Sequence, residues 1–202
     1  MGEIIISPII LFYHNVNNNI IVHLQSMRLL LNKVFNKGRC KMKNKKYKFT
    51  DDIIVFNNNR TLYRIEALID IPEIRVNAGD IGGYIESEEN LSHYGTCWVA
   101  DDARVFDNAK VLDNAQVFNN AIVWGNAKVY GNAQVYDNAL IHDKSTIFGN
   151  AQIYNNAWVL NDAQIYDNAR VYENAIISGN SIICDNTHVN EHTSVYNNFY
   201  SN

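Results

Sequence analysis

Histidine leads the few residues of this 202-residue chain that could do chemistry. His142 stands in the run Ile141-His142-Asp143-Lys144-Ser145-Thr146. An imidazole titrates near neutral pH and can act as a general base towards a hydroxyl or an amine, provided a cleft brings that group to it. Without a cleft, the same ring is a flat side chain available for packing. His188 and His192 flank Glu191, but a zinc site needs three or four ligands and no neighbouring stretch completes the set, so no metal site is expected. Cys40, Cys97 and Cys184 form an odd, sparse set without a CxxC pair, which gives neither a disulfide framework nor a zinc site and fits a reducing cytoplasm. Cys184 has no basic neighbour in its register to activate the thiol. Gly79-Asp80-Ile81-Gly82-Gly83-Tyr84 is rich in glycine, yet it lacks the GxGxxG spacing and no amphipathic helix follows, so it is not read as a phosphate loop.

These residues sit on or beside one repeating element. From Cys97 to Asn198 a six-residue phrase recurs in 17 consecutive copies, as in Ala133-Gln134-Val135-Tyr136-Asp137-Asn138. Every copy has Val or Ile at its third place, 12 have Ala at the first and 13 have Asn at the sixth. A fixed hexapeptide period is the signature of a parallel β-helix. Residues two apart on a strand share a face, so the first and third places point inward and the second and fourth outward. Asp or Gly followed by Asn makes the corner, where a left-handed residue is needed. Three strands and three corners make an 18-residue coil, so the array forms about 5.7 coils and a prism ~27 Å tall.

The 18-residue period sorts the outward positions onto three faces. The second face carries Tyr130, Phe148 and Tyr166 beside Lys110, Lys128 and Thr146; the third carries Phe118, Tyr136, Tyr154 and Tyr172 beside glutamines and Arg170. Both alternate a long polar residue with an aromatic, which suits wet sheets with stacked aromatic columns. The first face differs. Ile122, Trp124, Leu140, Trp158, Leu160 and Ile176 make it apolar through its middle coils, with His142 among them. Such a patch exceeds what a monomer leaves exposed, so an oligomer interface is expected there. The alternative is burial by the N-terminal segment folding back.

The remaining segments flank the array. Residues 1–41 are read as an extension: either an over-called reading frame ahead of a true start at Met42, or a helical arm with Leu24, Met27, Leu31 and Val34 on one stripe. The apolar run Ile4 to Tyr13 is too short to span a bilayer and contains Pro8, so neither a transmembrane segment nor a signal peptide is expected. Residues 42–84 are read as a β cap. Tyr47 to Phe56 and Thr61 to Ile71 form its hairpin, and the cap covers the raw strand edge that a β-helix exposes. The helix proper is assigned to 85–198 and a tail to 199–202. Arg28 to Lys48 holds 9 of the 17 Lys+Arg, whereas from Phe49 onward 20 acidic residues face 8 basic ones. That acidic body repels phosphates and argues against nucleic-acid binding by the helix.

The phrase resembles the hexapeptide-repeat, left-handed β-helix proteins, the superfamily of trimeric acyltransferases, whose pattern sets an aliphatic residue four before a small one, as in Val135 and Ala139. Leu62 to Val105, with the stretch Gly79 to Ser92, looks like YdcK-like proteins of bacteria and phage. The resemblance implies an all-β, single-stranded left-handed parallel β-helix and a homotrimer. The handedness rests on the resemblance alone, since crossover chirality points the other way. It also implies, for an enzyme, an acyl-CoA-dependent O- or N-acyltransferase using acetyl-CoA or another acyl-CoA, with His142 as the base at a subunit interface. Two features depart from that pattern: Phe, Tyr, Trp or Leu follows the aliphatic residue in most copies, and no loop interrupts Cys97 to Asn198 to form a cleft. A non-catalytic, oligomeric binding or scaffold module without a cofactor is therefore the first expectation, and the acyltransferase the second.

Overall fold

The structure, a computed structural model, describes residues 3–6, 9–12, 45–56 and 60–201. The chain divides into two units, Met1–Asn44 and Lys45–Asn202. In the first, β1 (Glu3–Ile6) and β2 (Ile9–Phe12) form an antiparallel hairpin with Glu3 opposite Phe12. The helical arm expected to carry Leu24, Met27, Leu31 and Val34 lies outside the described residues.

In the second unit each hexad contributes one strand of two or three residues, and each strand pairs in parallel with the strand 18 residues on. Ile122 lies opposite Leu140, Lys128 opposite Thr146 and Gln134 opposite Gln152. The result is three sheets around one core, a parallel β-solenoid of about six coils. Among the described residues the only helical turn is the short 3-10 segment Pro72–Ile74. No helix there is long and apolar enough to cross a membrane.

The inward places behave as the alternation requires. First-place alanines from Ala103 to Ala175 and third-place Val or Ile from Val99 to Ile183 have no exposed surface. Where serine replaces alanine, its hydroxyl finds a carbonyl within its own turn: Ser145 Oγ donates to His142 O at 2.7 Å and Ser181 Oγ to Ser178 O at 2.6 Å. A buried hydroxyl left unpaired would instead cost about 1–3 kcal/mol.

At the corners, all 17 fifth-place residues take positive φ, from Asp101 at 53° through Gly125 at 71° to Asn197 at 51°. The left-handed residue is thus the fifth, and the sixth-place Asn has a different task. Its carboxamide donates to the Asn one coil on, as in Asn114 to Asn132 to Asn150 to Asn168 at 3.1 Å per rung. Fifth-place carboxylates accept from the backbone N–H one coil on: Asn119 N reaches Asp101 at 3.0 Å, and Asn161 N reaches Asp143 at 3.0 Å. Hydrogen-bonded side-chain ladders thus run along the corners, interrupted where Gly takes the fifth place or Lys144 the sixth.

β3 (Tyr47–Phe56) and β4 (Arg60–Ala67) form the antiparallel hairpin. β4 pairs with β5 (Ile81–Ile85), which then runs parallel to the first strand of the first face, Arg104–Val105. The cap therefore extends one of the three sheets. Gly82 and Gly83 lie directly over the first coil. A Cβ on Gly82 would meet Val99 O at 2.7 Å, and one on Gly83 would meet Ala103 O at 2.7 Å. The glycine-rich stretch exists for close backbone approach. At the other end Phe199–Tyr200 pairs with Ile182–Ile183, 17 residues back rather than 18, so these residues form a further rung of the second sheet.

Candidate functional site

The first face extends along the sheet that the cap joins. Its upper part is not open: Leu62 and Tyr84 of the cap bury Phe106, and Ile54, Ile122 and Trp124 pack against that cluster. Arg60 lies over the Phe106 ring at 5.1 Å and also pairs with Glu86 and Asp107, while Arg64 lies over Tyr84 at 4.6 Å. The lower part is exposed. Trp158 is 45% exposed, Ile176 36% and Tyr196 66%, with Leu140 and Leu160 half-buried beside them. From Cys97 to Tyr196 these three are the exposed large apolar residues, and all three stand on this face.

His142 occupies the fourth place of its hexad, in line with Phe106 and Trp124. Its ring stacks on Trp124 at 4.3 Å and 13°. Its Nδ1 lies 3.2 Å from Asp143 Oδ2 at the adjacent corner. Burial alone would raise the Asp143 pKa, but the Asn161 backbone donor, His142 and the Asn161 carboxamide outweigh it and hold this carboxyl below its ordinary value. A depressed carboxylate pKa contributes stability that is present above the ordinary carboxylate range and is lost as pH falls through the folded value. We expect the Asp143 carboxyl carbon to titrate, by NMR, at lower pH than an ordinary aspartate. An unshifted midpoint would show that these donors do not hold it.

A groove of about 710 Å³ runs along another corner, the one that leads into the first-face strands. Asp101, Asn119, Asp137, Asn155 and Glu173 form one wall, and Asp102, Asn120, Asn138, Asn156 and Asn174 the other. Neither an aromatic ring nor a histidine lines it. Its polar groups are already committed along the corner: Asp137 accepts from the Asn119 side chain, the Asn155 backbone and the Asn155 side chain. His142 sits beside Asp143, on the corner that leaves the first face, so base and groove lie on opposite edges of that face.

The aromatic columns are also self-contained. Phe118, Tyr136, Tyr154 and Tyr172 stack at 4.8, 5.0 and 4.9 Å with planes within 4°. Tyr130, Phe148 and Tyr166 stack at 5.0 and 4.8 Å. These distances match the inter-strand spacing and fall in the favourable range for offset stacking, about 0.5–1.5 kcal/mol per pair. Because the interior rings use both faces on each other, no ligand can stack on them.

Cys184 occupies an outward place, yet it is only 4% exposed. The added rung at Phe199–Tyr200 brings Tyr200 O to 3.6 Å from its Sγ. Asp167, Cys184 and Asp185 bring potential ligand atoms within 4.8 Å of one another. His188 and His192 are exposed; His188 meets the edge of Tyr172 at 6.3 Å.

Sequence reasoning missed a buried cluster at the top of the solenoid. Lys46, 1% exposed, donates from Nζ to Cys97 O at 2.6 Å and to Cys97 Sγ at 3.1 Å. Burial lowers the Lys46 pKa and raises that of Cys97, each partly offset by the other group. Tyr47 donates to Leu91 O at 2.8 Å and stacks on His93 at 4.4 Å, and burial, with Glu88 nearby, raises its pKa well above the tyrosine range.

A family model described as the YdcK beta solenoid repeat matches residues 163–179, most of one coil. No curated protein matches the chain. With that match falling on one of about six parallel coils of the same repeat, the chain is a YdcK-like β-solenoid repeat protein.

Proposed function

We propose that the protein is a non-catalytic oligomeric binding or scaffold module, a homotrimer whose copies meet through the lower half of the first face. One observation carries this reading: Trp158, Ile176 and Tyr196 are exposed on a single sheet. Together they leave on the order of 300 Å² of side chain open, about what a monomer tolerates in its largest patch. A specific interface takes about 800 Å² per partner, so the contact also recruits Leu140, Leu160 and the neighbouring corners. A left-handed coil sense, carried by the family resemblance, goes with this reading. The rings and corner amides then act as the frame that keeps the face flat. The test is the oligomeric state of the purified chain by light scattering at micromolar concentration. A three-chain mass supports the reading and a single-chain mass removes it.

A second reading has one observation in its favour, the His142 Nδ1 to Asp143 contact at 3.2 Å. A carboxylate that orients an imidazole is the arrangement a general base uses in acyl transfer. The acceptor would be a hydroxyl or amine and the donor an acyl-CoA. Against it, the ring face is packed on Trp124 and the groove lies on the other corner. The scaffold reading expects no heat of binding when millimolar acetyl-CoA is titrated into the wild type. Saturable heat that disappears in His142→Ala would establish the acyltransferase instead.

A further inference from the structure

We propose that Lys46 and Asn90 seal the upper end of the solenoid, so that a second copy of this chain cannot add to it end to end. In every coil the second- and fourth-place N–H groups face the coil that follows, and the first- and third-place carbonyls face the coil before: Trp98 N donates to Ala115 O, and Lys110 N to Ala127 O. A stacked copy would therefore present N–H groups to the carbonyls of the first coil. On each sheet a different device meets carbonyls of the first coil.

On the first sheet, backbone fills them: Tyr84 N donates to Ala103 O and Glu86 N to Val105 O. On the second sheet, Ser92 N takes Val111 O, and the fully buried Asn90 side chain donates from Nδ2 to Ala109 O at 2.9 Å and to Asp107 O at 3.0 Å. Its Oδ1 accepts Ser87 N at 2.8 Å and Ser87 Oγ at 3.3 Å, which pins the amide. On the third sheet, the Lys46 ammonium takes Cys97 O and lies 3.4 Å from Gly95 O. Two side chains thus stand where the N–H groups of a further coil would be. Lysine is apt because an incoming strand would have to displace an ammonium that is already hydrogen-bonded to Cys97 O, which is harder than displacing water. This seal is independent of how copies meet through the first face.

The experiment compares wild type, Lys46→Met, Lys46→Met/Asn90→Leu and Lys46→Arg by sedimentation velocity and electron microscopy, with circular dichroism as the check on folding. The expected result is elongated species at least several-fold heavier than wild type for the double variant. Lys46→Met should shift in the same direction, and Lys46→Arg should sediment as wild type. Folded variants of wild-type size overturn the proposal. So does loss of the β signal in both Met variants, since the two residues would then be holding the coil together rather than guarding its end. End-to-end filaments of the wild type overturn it as well.

Discussion

If copies meet through the first face as proposed, Trp158→Glu will run as a single chain on a calibrated column at concentrations where the wild type runs as an oligomer. Trp158 stands at the second place of its hexad, outside the core, between Leu140 and Ile176 in the strand ladder. Its substitution leaves the inward Ala157 and Val159 untouched, so the coil should fold as before. In an assembly through this face, however, a carboxylate would be buried among apolar side chains without a partner. An uncompensated buried charge costs about 3–5 kcal/mol, a factor of roughly 150 to 4,000 in association. Arg170→Glu, on the third face, serves as control and should leave the mass unchanged. Elution of Trp158→Glu at the wild-type oligomer mass would rule out this face as the contact.

Gly83→Ala will lower the stability of the cap by about 3 kcal/mol, the upper end for overpacking. Its added Cβ would sit 2.7 Å from Ala103 O, 2.8 Å from the Val99 side chain and 3.0 Å from Ala100 O. Two of these are backbone oxygens, each already accepting a backbone N–H, and cannot rotate away. Gly79→Ala is the matched comparison, because nothing lies within 4 Å of its Cβ and its cost is only the φ of 95°. That cost should be about 1 kcal/mol. Urea midpoints and hydrogen exchange of β4 and β5 distinguish the two. Equal losses would mean that close approach over the first coil is not the reason for glycine at 83.

The seal at the top and the exposure at the side fit one design. A β-solenoid is prone to grow along its axis, because each coil is a template for the next. Lys46, Asn90 and the cap hairpin close that direction among the described residues. The face left open is lateral, where Trp158 and Tyr196 offer side chains rather than strand edges. The proposed contact there would join finished coils in closed symmetry, whereas stacking along the axis would make an open filament.

The solenoid was legible in the sequence because every instruction for it is local. Ala at the first place and Val or Ile at the third say which way the strand faces, and the fifth-place Asp, Asn or Gly says where it turns. The 18-residue ladder follows, and with it the aromatic columns and the three faces. The exact turn residue was less legible, because both Asp-Asn members tolerate positive φ and only the built corner assigns it to the fifth. The exposed part of the first face was legible only in outline. Ile122 and Trp124 read as apolar as Leu140 and Trp158, yet Leu62 and Tyr84 reach the first two from the cap and not the others.

The sequence by itself therefore determined the coil, its period, the inward and outward sets and the absence of an interrupting loop. Tertiary structure alone decided three things. It brought Lys46 onto Cys97 O across 51 residues, it turned the rings of each column onto one another, and it set His142 and the groove on opposite edges of one face. The reason is the range of the interactions. Strand alternation and corner chirality act within a hexad and repeat with it. The cap meets the solenoid once, through pairs far apart in the chain, and no period records them.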